Sequence, residues 1–161
     1  SVEKGVAAAA REGILAGYRI VDLKVDFYDG KMHPVDSKDI AFQIAGKEAF
    51  KEAFLAARPC MLEPICVVEI RMPDECMGNV IGDLSSRRGK ILGMDSADGL
   101  QIVRANVPQK ELYQYSTVLR SLTGGRGLHT EDFSHYEEMP KELEAKVVAE
   151  SKKAKEETAQ A

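Results

Sequence analysis

The chain of 161 residues is predicted to be an α+β protein in which a β-α-β-β-α-β plait follows a shorter α-β-α segment. Three observations carry that prediction. Residues 19–28 alternate with the period of a strand, setting Val21, Leu23, Val25 and Phe27 against Asp22, Lys24, Asp26 and Tyr28. Met77, Val80, Ile81 and Leu84 fall at i, i+3, i+4 and i+7, which is one apolar stripe of a helix. From Cys60 onward the patterns succeed one another as strand, helix, strand, strand, helix, strand.

Taken in order, Ser1 is placed to cap a helix over Val2–Glu12 with Val6, Ala9 and Ala10 as its apolar face, ended by Gly13. The strand over Arg19–Tyr28 comes next, then a turn at Asp29-Gly30 and a loop from Lys31 to Asp36. Ser37 is read as the cap of a helix reaching about Ala57, with Phe42, Ala45, Ala49, Phe50, Ala53 and Phe54 on its buried side. Arg58-Pro59 ends that helix and marks a boundary, giving segments 1–59, 60–139 and 140–161. In the second segment a strand runs to Met72, Pro73 stops it, and Asp74 caps a helix over 75–88. Gly78 and Gly82 lie four apart, so one side of that helix is bare and suited to close backbone approach. Arg87 and Arg88 suit its negative end, with Gly89 as the residue beyond the C-cap. Strands over 90–95 and 100–107 flank the turn Ala97-Asp98-Gly99. A helix follows Pro108 with Leu112, Tyr115, Leu119 and Leu122 at helical spacing, Thr123-Gly124-Gly125 ends it, and a last strand covers 127–137. This order is the split βαβ or ferredoxin-like plait, an antiparallel four-stranded sheet with both helices on one face. Pro140 opens a final helix with Leu143, Val147 and Val148, and a tail beyond Glu150 is expected to fray because it has nothing to bury.

Composition narrows the function classes. A hydrophobic fraction of 44% and a charged fraction of 30% are ordinary for a soluble protein, and no apolar run is long enough to cross a bilayer. Cys60, Cys66 and Cys76 are odd in number and lack paired spacing, and His33, His129 and His135 show no ligand spacing with them, so a reduced, cytoplasmic protein without a metal site is expected. The net charge of −4 argues against a general nucleic-acid binder. Residues 60–139, with eight basic and twelve acidic side chains, carry all of it, so any RNA contact has to use local patches. No Ser/His/Asp or Cys/His arrangement suggests catalytic residues, and none are assigned.

The string Met77-Gly-Asn-Val-Ile-Gly-Asp-Leu-Ser-Ser-Arg-Arg-Gly89 closely resembles the last domain of the elongation factor G family of translocation GTPases, whose pattern is Met-Gly-x-Val-Ile-Gly-Asp-Leu-x-x-Arg-Arg-Gly. The resemblance runs from Val2 to about Val148. Tyr28-Asp-Gly30, His33, Val35-Asp-Ser37 and Ala49-Phe50-Lys51-Glu52-Ala53 are similar to the second half of the fourth domain, and Leu62-Glu63-Pro64 to its join with the fifth. Leu119-Arg120-Ser121-Leu122-Thr123 and Gly125-Arg126 resemble the end of the plait's second helix.

The resemblance implies a C-terminal ribosome-binding arm that promotes movement of tRNA and mRNA. Its partners would be rRNA, the tRNA–mRNA complex at the decoding site and the stalk base, with no membrane. Asp29, Gly30, Lys31, Met32, His33 and Pro34 would form an RNA-contacting tip loop. Arg87, Arg88, Lys90, Gly125 and Arg126 would contact RNA from the fifth domain, although a helix end completing its dipole and a tight glycine turn explain the same residues. No GxxxxGK[ST] string occurs, so GTP and Mg²⁺ are expected in a G domain outside this sequence and no cofactor within it. The piece is read as beginning inside the fourth domain. Lys31-Met32 and Pro34 depart from the family's tip, which keeps a ribosome-recycling paralogue open; a small-molecule regulatory module on the same plait is the alternative of a different class. A lone strand over 19–28 would be left with unpaired edges, so in this piece, though not in the intact factor, it is expected to pair artefactually with the same strand of a second molecule or to borrow an edge of the plait.

Overall fold

The computed structural model describes residues 1–35 and 37–159; the expected loop end at Asp36 and tail end at Gln160 and Ala161 lie outside them. In chain order the elements are α1 (Val2–Glu12), α2 (Asp39–Ala56), β1 (Leu62–Met72), α3 (Met77–Ser86), β2 (Lys90–Ala97), β3 (Leu100–Pro108), α4 (Tyr115–Thr123), β4 (Leu128–Glu138) and α5 (Lys141–Ala159). Short 3-10 turns precede α3 and α4. Two units are formed, one from Met61–Met139 and one from Ser1–Cys60 with Pro140–Ala161.

In the unit that holds the N-terminus, α1 crosses α2 at two glycines. A Cβ on Gly5 would lie 2.0 Å from the carbonyl oxygen of Gln43, and one on Gly46 would lie 3.0 Å from Val2. The crossing therefore depends on missing side chains and brings backbone against backbone. Gly46 and Phe50 are the buried residues of α2, with Phe42 and Phe54 half-buried, whereas Ala45, Ala49 and Ala53, expected inside, are exposed. Ser1 stands at the N-cap position of α1 as the spacing predicts but makes no side-chain capping bond, and Ser37 is not the cap of α2. The Ser1 hydroxyl donates to the Asp39 carboxylate, and this bond, with one from Gln43, holds the Asp39 carboxyl below its ordinary range. Ser37 Oγ accepts the His33 N–H at 2.6 Å, so it closes the loop, and α2 starts at Asp39 behind Lys38 without a side-chain cap.

The strand expected over 19–28 does not form. Ile20 N–H donates to the Ala10 carbonyl at 2.8 Å, and Asp22 takes a left-handed φ of 54°, which interrupts any regular extension. Val21, Leu23, Val25 and Phe27 are exposed. Alternation supplies a face, but a strand also needs a neighbour for its N–H and C=O groups, and among the described residues 19–28 has none. Nor does it borrow an edge of the plait, whose sheet has four strands. The expected fraying after Glu150 is also replaced by structure: α5 continues to Ala159, and Ser151 Oγ donates to the Ala16 carbonyl at 2.9 Å. Lys152 and Lys153 stand four residues before Glu156 and Glu157, a spacing that supports an exposed helix.

The second unit is the plait. Its sheet order is β2-β3-β1-β4, every neighbour antiparallel, so β1 is central as the element order requires. Cys66, Val68 and Ile70 of β1 stand opposite Val107, Ala105 and Val103 of β3. Those six side chains, with Met72, pack against Val80 and Leu84 of α3 and Tyr115 and Leu119 of α4, which places both helices on one face. Burial pushes the Cys66 thiol up in pKa, with Glu131 and Asp132 adding to the shift, as suits an inert core cysteine. Gly78 and Gly82 do not mediate the close approach expected of them, because a Cβ on either would meet nothing within 4 Å.

Candidate nucleic-acid interface

The loop between α1 and α2 presents an unusual density of exposed side chains. Tyr28 is 95% exposed, Met32 77% and Val35 80%, with Lys31, His33 and Pro34 exposed beside them. Local bonds shape it. The Asp29 carboxylate accepts the Gly30 N–H at 2.8 Å, and the His33 N–H reaches Ser37 Oγ. Phe27 lies over Gly30, where an added Cβ would come within 2.9 Å of the ring. The imidazole of His33, the ammonium of Lys31 and the phenol of Tyr28 are thus held out on a short tethered turn. Such a set suits stacking and hydrogen bonding to unpaired bases and phosphates and needs no catalytic partner.

The second group of expected contacts behaves differently. At the end of α3, Gly89 N–H bonds the Leu84 carbonyl at 2.8 Å and Arg88 N–H the Ser85 carbonyl at 3.2 Å, a Schellman closure. The left-handed residue of that closure is Arg88, with φ 60°, where the sequence pointed to Gly89. Gly89 is needed for another reason, since a Cβ there would lie 2.6 Å from the Leu84 oxygen. Arg88 is held by a two-pronged pair with the Glu63 carboxylate at 2.8 and 2.9 Å, and it also reaches Glu111 at 3.4 Å. The Glu63 bond, chief among these, raises the Arg88 pKa above its already high value. Arg87 bonds Asp83 at 2.8 Å and the Glu111 carbonyl, and its guanidinium sits 5.1 Å from the centre of the Tyr115 ring. Both arginines are thus occupied inside the plait.

Lys90 and Arg126 are more open. The Lys90 side chain is 71% exposed with its ammonium 3.2 Å from Glu137, whose carboxyl is held below the usual range by His135 and then by Lys90. The Arg126 side chain is 56% exposed and pairs with Glu75. Gly124 and Gly125 take φ of 59° and 80° to close α4, and a Cβ on either would meet nothing within 4 Å, so the backbone there is accessible from outside. Gly127 is a packing glycine, its N–H bonded to Thr123 Oγ1 at 2.8 Å. The tip loop lies in the N-terminal unit and the Arg87–Lys90 and Gly125–Arg126 groups in the plait.

Sequence reasoning missed Glu63, which is buried at 7% exposure, and Glu111, the two acids that claim Arg88. The only signal for Glu63 was a carboxylate inside a strand pattern, a residue that is rarely buried unless paired. It also missed the Arg71–Glu69–Arg104 group on the sheet, in which Glu69 takes one arginine on each oxygen at 2.9 and 2.8 Å. Among the described residues no three His, Cys, Asp or Glu side chains are grouped to hold a metal ion, and no helix is long and apolar enough to cross a membrane.

Fold and loop together define an α+β module with an exposed loop of polar and aromatic groups. Comparison with known proteins makes the class specific. The family model for elongation factor G, domain IV, matches residues 1–58, and the model for the elongation factor G C-terminus matches residues 60–147. The chain is 52% identical over 150 residues to elongation factor G of Aquifex pyrophilus, an alignment covering 93% of this chain and 22% of that protein. A crystal structure of a Thermus thermophilus protein superposes with a TM-score of 0.81 at 43% identity, covering 94% of this chain and 23% of that one. The chain therefore belongs to the elongation factor G family. It spans roughly a fifth to a quarter of the length of these relatives, the shares being 22% and 23%.

Proposed function

We propose that the chain is the C-terminal ribosome-binding arm of a translational GTPase that promotes tRNA–mRNA translocation in the cytoplasm. The double family match over residues 1–58 and 60–147 carries this reading, and it favours elongation over a recycling paralogue or a small-molecule module. The tip loop supports it further, since Tyr28, Lys31, Met32 and His33 are exposed and suited to RNA. In this reading the loop enters the decoding site beside tRNA and mRNA, and the plait meets large-subunit rRNA near the stalk base. On the plait, Lys90, Gly125 and Arg126 make the direct contacts, while Arg87 and Arg88 hold the α3 end in shape. GTP and Mg²⁺ act elsewhere in the longer protein, because these 161 residues hold no GxxxxGK[ST] cradle for nucleotide phosphates.

The test is His33→Ala in the full-length factor. Translocation should slow while ribosome-stimulated GTP hydrolysis stays near the parent rate, because the loop acts on RNA and is remote from the nucleotide. Equal loss of both activities in rapid kinetics overturns the assignment.

A further inference from the structure

The helix that the sequence predicts after Pro108, with Leu112, Tyr115, Leu119 and Leu122 on one face, is interrupted in the structure. Gln109–Leu112 form a 3-10 turn and α4 starts at Tyr115. Between them Tyr113 is extended (φ −56°, ψ 125°) and Gln114 is left-handed (φ 56°, ψ 21°). Those angles are the two central positions of a type II turn, whose second position suits glycine or asparagine. Gln114 carries a Cβ there, and its side chain makes only a 3.4 Å contact from Nε2 to the Tyr113 hydroxyl. The cause of the break lies outside the turn. In a continuous helix the Glu111 carbonyl accepts the Tyr115 N–H. Here it accepts the Arg87 guanidinium instead, while the Glu111 carboxylate lies 3.4 Å from that of Arg88. We propose that Gln109–Thr123 is a two-state helix, broken at the Tyr113–Gln114 peptide while Arg87 holds the Glu111 carbonyl and continuous once Arg87 lets it go.

The motion required is small. Turning one peptide plane over rotates ψ of Tyr113 and φ of Gln114 together and brings both residues into the right-handed helical region. Leu112 and Tyr115 stay near their places, because a β-turn already holds its first and fourth Cα atoms within about 7 Å. Leu112, Tyr115, Leu119 and Leu122 fall at i, i+3, i+7 and i+10, so a continuous helix keeps the same face in the core. The first bonds of α4 survive as well, since the Gln114 carbonyl, which accepts the Thr117 and Val118 N–H groups, belongs to the next peptide. Gln109, Lys110, Glu111 and Leu112 are good helix formers, and Pro108 ahead of them does not obstruct a helix start. What opposes the continuous form is the Arg87 bond, with the weaker Arg88 contact beside it. Asp83, one turn back on α3, holds Arg87 at 2.8 Å and keeps it aimed at residue 111. Arg87 is the catch of the device.

NMR of the 161-residue chain tests this. The broken form gives a strong nuclear Overhauser effect from Tyr113 Hα to the Gln114 N–H. The continuous form gives one between the two N–H protons, and another from Leu112 Hα to the Tyr115 N–H. The parent should show the first pattern, with microsecond-to-millisecond exchange at the amides of Tyr113, Gln114 and Tyr115. Arg87→Lys keeps the charge and loses the fork, and should raise the continuous share by about tenfold, the worth of one charge-assisted bond. Gln114→Val leaves Arg87 untouched and should shift the balance the same way, because a β-branched residue resists the left-handed region. Gln114→Gly should abolish the exchange, glycine being at ease in the turn and poor in a helix. No exchange at these amides in the parent and in Arg87→Lys alike overturns the proposal. So does a Gln114→Val chain that keeps the Tyr113 Hα–Gln114 N–H signal of the parent. A Gln114→Val chain that fails to fold overturns it too, since the continuous helix gives valine a permitted place.

Discussion

The two units are held together in opposite ways. The plait buries large side chains: Ile70, Met72, Leu84, Tyr115 and Leu119 are all below 2% exposure and fill the space between one sheet face and two helices. The α1–α2 pair buries mostly absence, with Gly5, Ala9 and Gly46 at the crossing and Phe50 its one large buried apolar side chain. Burial of large apolar groups resists deletion and tolerates modest additions elsewhere. A glycine crossing has little to delete and cannot accept an addition. The same substitution, glycine to alanine, should therefore have opposite signs at different places in the chain.

The largest effect is expected in the plait. Leu84→Ala removes a fully buried side chain between α3 and the sheet, and should lower stability by about 2–5 kcal/mol in urea unfolding. An unchanged midpoint would falsify the packing described. Next comes Glu63→Ala, which leaves a partly buried, left-handed Arg88 without its two-pronged partner. The cost should be about 1.5–3 kcal/mol, the range for hydrogen bonds to charged groups, and high salt should alter it little. A salt-dependent or negligible change would return Arg88 to the pool of free RNA contacts.

Glycine substitutions sharpen the comparison. Gly5→Ala drives a Cβ to 2.0 Å from the Gln43 oxygen, which is backbone and cannot rotate away, so α1 must shift from α2. A loss of about 1–3 kcal/mol is expected, typical of overpacking. Gly82→Ala, on the open side of α3, meets nothing within 4 Å and should gain about 0.5–1 kcal/mol from helix propensity. Should Gly82→Ala destabilise the plait and Gly5→Ala leave the N-terminal unit untouched, the two modes of packing have been assigned the wrong way round.

Legibility in the sequence followed the same division. The plait was readable because its periodicities are written in large side chains: Met77, Val80, Ile81 and Leu84 at helical spacing and Cys66, Val68, Ile70 and Met72 at strand spacing. The α1–α2 crossing was not, since a glycine adds nothing to an apolar pattern, and a pair such as Gly78 and Gly82 states smallness without stating contact. Residues 19–28 show a further limit, because alternation specifies a face while the ladder depends on a neighbour. The tip loop was found through resemblance and its turn residues, and its exposure then followed from local bonds such as that of His33 to Ser37. Arg87 and Arg88 were visible as a basic pair, but Glu63 lies 25 residues from Arg88, and only the placement of β1 beside the α3 end brings them together.

The smallest effect concerns acid. Glu69 sits on the sheet between Arg104 and Arg71, and those bonds, Arg104 first, hold its carboxyl below the ordinary value of 4.5. Between the folded and unfolded values the native state binds fewer protons than the unfolded chain. The Glu69 contribution is therefore fully present above the unfolded value and is lost as pH falls through the folded one. The arginines are more than half exposed, at 57% and 53%, so solvent and salt screen the group and the contribution stays modest. In urea unfolding at steps from neutral pH down past the ordinary glutamate range, Glu69→Gln should flatten the acid side of the stability curve and leave its neutral plateau only slightly lower. Parallel curves for the parent and the variant would mean that the two arginines hold Glu69 no more tightly in the folded chain than water does in the unfolded one.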